Sequence, residues 1–125
     1  MCRSILAALV ILFSLSNSDN ANSATLRGGV LKSTLQGRVL NLSTQVGTLP
    51  IRYRANGTMS GNSAKLAKYV GFSNDRGRWW VSGSRLCQRW QKLFDKKTIC
   101  YSLSKSGNNI SWSGGGRSGS ARLSN

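Results

Sequence analysis

The chain contains no histidine, and three aspartates are its only acidic side chains against 18 lysines and arginines. Acid–base chemistry near neutral pH relies on imidazole or on carboxyl pairs with separated pKa values. Protein metal sites rely on clusters of His, Cys and carboxylate. Asp75 stands beside Arg76 and Arg78, and Asp95 beside Lys96 and Lys97, so each reads as a turn residue or ion-pair partner. A serine nucleophile would find only lysine as its base. Gly114-Gly115-Gly116 lacks the following Lys-Ser or Lys-Thr of a phosphate loop and reads as a flexible turn. These gaps argue against an enzyme, a resident metal or a cofactor, and no catalytic residue is assigned.

Long apolar runs are missing too. Ile5 to Leu15 is the one extended stretch, and it falls short of the roughly 20 residues that cross a bilayer. Arg3 before it, and Ala21 and Ser23 three and one positions ahead of a cut at Ala24, make residues 1–23 a predicted signal peptide. Cys2 precedes the apolar run, whereas a lipid-accepting cysteine would follow it. Residues 24–125 then form a single basic β-rich domain, periplasmic or secreted, with no transmembrane segment. Loss of Arg3 and Asp19 leaves the net charge at +15. Cys87 and Cys100 are the cysteines that remain, and an even pair in an oxidising compartment predicts a disulfide. Closing that loop restricts the unfolded chain by about 3 kcal/mol, a useful supplement to the modest core of a small domain.

With one proline and 14 glycines, the texture after Gly37 is one of short strands and turns. Leu31 and Leu35, four apart and followed by Gly37, predict a short helix within residues 25–36. Residues 39–43 and 50–55 read as strands, with Ile51 and Tyr53 on one face and Arg52 and Arg54 on the other. Asn56-Gly57 predicts a type I′ hairpin, and Ser82-Gly83-Ser84 a second one. Residues 98–103 pair back onto the Cys87 strand, and Lys105 to Asn108 turn into residues 110–113. Leu86, Trp90, Leu93 and Phe94 also fit helical spacing, but a strand through Cys87 is preferred. The fold class is mainly β: an antiparallel meander, as a twisted sheet or small barrel, with one short N-terminal helix and one disulfide.

Cations interleaved with aromatics are what the chain has in abundance. Alternation puts Trp79 and Val81 on one strand face and Arg78 and Trp80 on the other, so one of the adjacent tryptophans faces away from the core. An exposed indole among guanidinium groups can stack on a sugar ring while the cations hold phosphate or carboxylate. Arg76, Arg78, Trp80, Arg85 and Arg89 are therefore the candidate ligand-binding residues. The surface potential would concentrate polyanions, and beyond the inner membrane these include acidic polysaccharide and lipopolysaccharide. Nucleic acid is disfavoured, since no helix-turn-helix, zinc finger or RNA-binding signature occurs. Two alternatives are an exported inhibitor or effector that docks on a protein partner, and a cationic membrane-active protein, although the chain has no long basic amphipathic helix.

Tyr53 to Gly61, Arg76-Gly77-Arg78-Trp79-Trp80-Val81, Leu86-Cys87-Gln88-Arg89-Trp90, Cys100-Tyr101 and Gly119 to Leu123 resemble small exported proteins of rhizobia and related alphaproteobacteria. These share a domain with the pattern Gly-x-Trp, Leu-Cys, Trp, Cys. The resemblance spans about residues 50–123, with Asn56 where the family has Asp. It implies a bacterial envelope setting and carries over no activity and no functional residue.

Overall fold

The computed structural model describes residues 23–65 and 67–125, so the expected signal peptide, Ser23 apart, lies outside the described residues. The elements are β1 (Ala24–Thr25), α1 (Gly28–Leu35), β2 (Arg38–Thr44), β3 (Gly47–Tyr53), β4 (Thr58–Asn62), α2 (Ala67–Val70), β5 (Asn74–Ser82), β6 (Arg85–Trp90), a 3-10 turn (Leu93–Lys96), β7 (Thr98–Ser106), β8 (Asn109–Gly114) and β9 (Arg117–Ser124). From β2 to β9 each strand pairs antiparallel with the next, and β9 returns to β2 with Leu123 opposite Leu40. The meander is therefore a closed eight-stranded barrel and not an open twisted sheet. β1 pairs with the stretch of β7 past its contact with β6.

Eight strands enclose a space that side chains can just fill. Alternation decides which residues enter it: Leu49, Ile51 and Tyr53 from β3, Trp79 from β5, Leu86 and Trp90 from β6, and Ala121 and Leu123 from β9 are all buried. The predicted helix forms and plugs one end, with Leu31 and Leu35 fully buried. Each such leucine contributes about 1.5–3 kcal/mol of transfer free energy. The Gly28 N–H donates to the Gly83 carbonyl at 2.9 Å and the Gly37 N–H to the Tyr53 carbonyl at 2.7 Å, fastening the helix to two strand ends. Gly37 leaves the helix at φ 77°, a conformation that costs glycine little because it has no Cβ.

One polar pair crosses this interior. Tyr53 Oη donates to Gln88 Oε1 at 2.9 Å, its ring meets Trp79 edge-on at 5.4 Å between centroids, and Trp79 Nε1 donates to the Arg54 carbonyl at 2.9 Å. Burial, with a smaller contribution from Tyr101, pushes the Tyr53 phenol well above its ordinary range. Burial raises Tyr101 as well, against the pull of Arg117. The folded chain thus holds these protons more tightly than the unfolded one, so their stabilisation is complete below the unfolded value of about 10 and is lost as pH rises past it. The thermal midpoint should decline above about pH 10, each tyrosine contributing up to about 1.4 kcal/mol per pH unit. Tyr53→Phe should decline less steeply in thermal melts across that range, and an identical slope would refute the assignment.

The Asn56-Gly57 hairpin forms, but through a different turn from the one expected. Gly57 has a positive φ of 89° and Asn56 does not. The Gly57 N–H donates to the Arg54 carbonyl at 3.0 Å and the Arg54 N–H to the Thr58 carbonyl at 2.9 Å. Asn56 Oδ1 accepts from the Thr58 N–H at 3.0 Å and from the Thr58 hydroxyl at 2.7 Å. That side-chain bond suits a type I turn followed by a glycine bulge. The helical reading of Leu86 to Phe94 also gives way: β6 runs unbroken to Trp90, with Gln88 as well as Leu86 and Trp90 on the inner face.

Candidate functional site

β5 turns Arg76, Arg78 and Trp80 outward, and β6 turns Arg85, Cys87 and Arg89 outward. Register joins them across strands: Arg78 lies opposite Arg89 on one side and Thr58 on the other, Arg76 opposite Ser60, and Trp80 opposite Cys87. Cys87 in turn faces Cys100 on β7, and the two are disulfide-bonded with their Cα atoms 4.0 Å apart. The staple lies on the outer face of the barrel, yet Cys87 is buried there. Trp79 is 3% exposed and Trp80 41%, the division that alternation required.

A recess of about 1120 Å³ opens on this outer face. Arg54, Arg76, Arg78, Arg89, Lys96 and Trp80 line it, and among the described residues no carboxylate does. Four of the five sequence candidates thus share one groove. Arg85 does not line it, because it sits at the hairpin end opposite Ser82. Arg54 and Lys96 were missed. Arg54 did carry a signal, its alternation with buried Ile51 and Tyr53, and its Nη1 donates to Ser60 Oγ at 3.2 Å. Lys96 had none, since only the path of its loop brings it here. Arg78 and Arg89 are like charges directly across a strand pair, an arrangement that destabilises a sheet. An oxyanion between them would relieve that repulsion and could be gripped bidentately by each guanidinium.

Asp75 holds the loop that carries Lys96. Expected as a turn residue or ion-pair partner, it is instead buried within β5. Its Oδ1 accepts from the Arg76 N–H at 2.8 Å, and its Oδ2 from the Lys92 and Leu93 N–H groups at 3.0 and 2.9 Å. The carboxylate serves main-chain donors at a strand exit rather than a neighbouring cation. Immediately afterwards Phe94, Asp95 and Lys96 take φ values of 55, 55 and 63°. Three successive left-handed residues with side chains cost about 1–2 kcal/mol each.

The site presents guanidinium groups, whose chemistry suits anions, beside an exposed indole, whose flat face suits a ring. It offers no acid–base pair, and among the described residues no three of His, Cys, Asp or Glu come together as a metal site would need. No described helix is long and apolar enough to cross a membrane. Comparison with family models, with curated proteins and with solved structures finds no match to the chain.

Proposed function

We propose that this chain is a non-catalytic exported module that binds an anionic polymer of the cell envelope or its surroundings, acidic polysaccharide or lipopolysaccharide, in the periplasm or outside the cell. One observation carries the reading: four arginines and a lysine converge with an exposed tryptophan on a single groove that no carboxylate lines. The groove is open and spans residues of β4, β5 and β6, which suits a ligand with several anions better than a small enclosed metabolite. Trp80 supplies a flat apolar surface for a sugar ring.

Retention on immobilised acidic polysaccharide should drop more than tenfold between about 0.05 and 0.5 M salt, as the Debye length shrinks about threefold. Arg78→Gln with Arg89→Gln should weaken binding about 30-fold at low salt, at about 1 kcal/mol per lost charged contact. Arg85→Gln, outside the groove, should stay within about twofold of the parent. Salt-independent retention, or equal losses in the two variants, would count against the proposal.

A further inference from the structure

The loops 63–73 and 91–97 follow β4 and β6, so they emerge at the barrel end opposite α1. They pack on each other: Lys92 Nζ lies 4.9 Å above the Phe72 ring and donates to the Asn74 carbonyl at 3.4 Å. Val70, Phe72 and Leu93 line a shared cavity of about 20 Å³. The outer surface of this pair is unusual in composition. Tyr69, Phe94 and Val70 are 69, 45 and 38% exposed, three of the five large exposed hydrophobic residues of the described chain. Lys65, Lys68, Lys92, Lys96 and Lys97 stand on the same two loops, with Asp95 as the one acid. The barrel wall carries mainly arginine, while these loops carry lysine beside apolar tips.

We infer that this end of the barrel docks peripherally on a bilayer bearing anionic headgroups, with Tyr69, Val70 and Phe94 entering the interface and the lysines meeting the phosphates. A hydrophilic polymer offers nothing to cover Val70 and Phe94. A lipid interface covers both the apolar tips and the methylene stems of lysines whose ammonium groups stay at headgroup level. Charge complementarity selects an anionic surface. Phe94 sits in this left-handed stretch and is 45% exposed, an apolar ring at the surface where burial would ordinarily be favoured. Tyr69, Val70 and Phe94 do not line the arginine groove, to which these loops contribute Gln91 and Lys96.

The test is flotation with phosphatidylcholine vesicles containing about one-third phosphatidylglycerol, against phosphatidylcholine alone. The parent should float with the anionic vesicles and at least tenfold less with the neutral ones. Tyr69→Ser with Val70→Ser and Phe94→Ser should lower partitioning about 30-fold, and so should Lys68→Gln with Lys97→Gln, at about fivefold per lysine. Both sets should keep their retention on acidic polysaccharide. Val30→Ser, which removes an exposed apolar side chain from α1 at the other end, should change flotation less than about twofold. Normal flotation of the serine variant would overturn the inference by reducing the effect to charge alone. Absence of parent flotation, with the serine variant changing self-association in sedimentation, would overturn it in favour of a second copy of the chain.

Discussion

Asp75→Ala should lose about 3 kcal/mol of folding stability, because three main-chain N–H groups lose their acceptor at once. Those donors belong to Arg76 in β5 and to Lys92 and Leu93 just past β6, so one carboxylate ties a strand to the start of a loop 17 residues away. An unpaired buried donor costs about 1–3 kcal/mol; Lys92 lies at the surface and water will partly replace the bond there, which sets the sum at the lower end. Asp75→Asn should fall between, since an amide oxygen can keep two of the bonds while its NH₂ group faces the third donor. Urea unfolding should show a lower midpoint at unchanged slope, and hydrogen exchange should show the Lys92 and Leu93 amides losing protection. If Asp75→Ala unfolds at the parent midpoint, the loop is held by something else.

Gly77→Ala should destabilise by a comparable amount, about 2–3 kcal/mol. Gly77 lies between Met59 on β4 and Trp90 on β6. A Cβ at this position would fall inside the van der Waals radius of the Arg89 carbonyl oxygen and 2.7 Å from Met59 Cε. The methionine can turn aside, but the carbonyl belongs to the β6 main chain and can move only if β5 and β6 part. The reduced freedom of the unfolded chain returns only about 0.4–1 kcal/mol. That separation would occur where Arg78 faces Arg89, so loss of polymer retention should accompany loss of stability. Gly29→Ala is the contrast: in α1, with no atom within 4 Å of the added carbon, it should raise stability by up to about 1 kcal/mol. Equal midpoints for the two variants in chemical unfolding would show that the close approach at Gly77 is tolerated.

What could be read from the residues was whatever depends on local alternation and turn chemistry. That Trp79 and Trp80 take opposite faces follows from period two, and the arginines sharing a face with Trp80 mark that face as the outer one. The cysteine pair was legible because compartment and parity, not geometry, predict it. Leu31 and Leu35 announced the plugging helix by their spacing. Contacts set by distant loop paths were hidden. Asp75 looked like a surface charge because its partners Lys92 and Leu93 lie beyond a hairpin. Lys96 reaches the groove only through a left-handed turn, which no sequence of Phe, Asp and Lys advertises. Choosing a barrel over an open sheet required knowing that β9 finds β2, a pairing across about 80 positions that short-range patterning does not encode.

That last pairing has a kinetic corollary. Every other rung of the cylinder links strands adjacent in sequence, so a hairpin-by-hairpin zipper can assemble it with small loop-closure entropies. On that route the seam between β2 and β9 would shut last, and until it did both of its margins would present bare amide rows that can template misassembly between chains. Refolding yield should therefore depend on protein concentration only during the interval before the seam has closed.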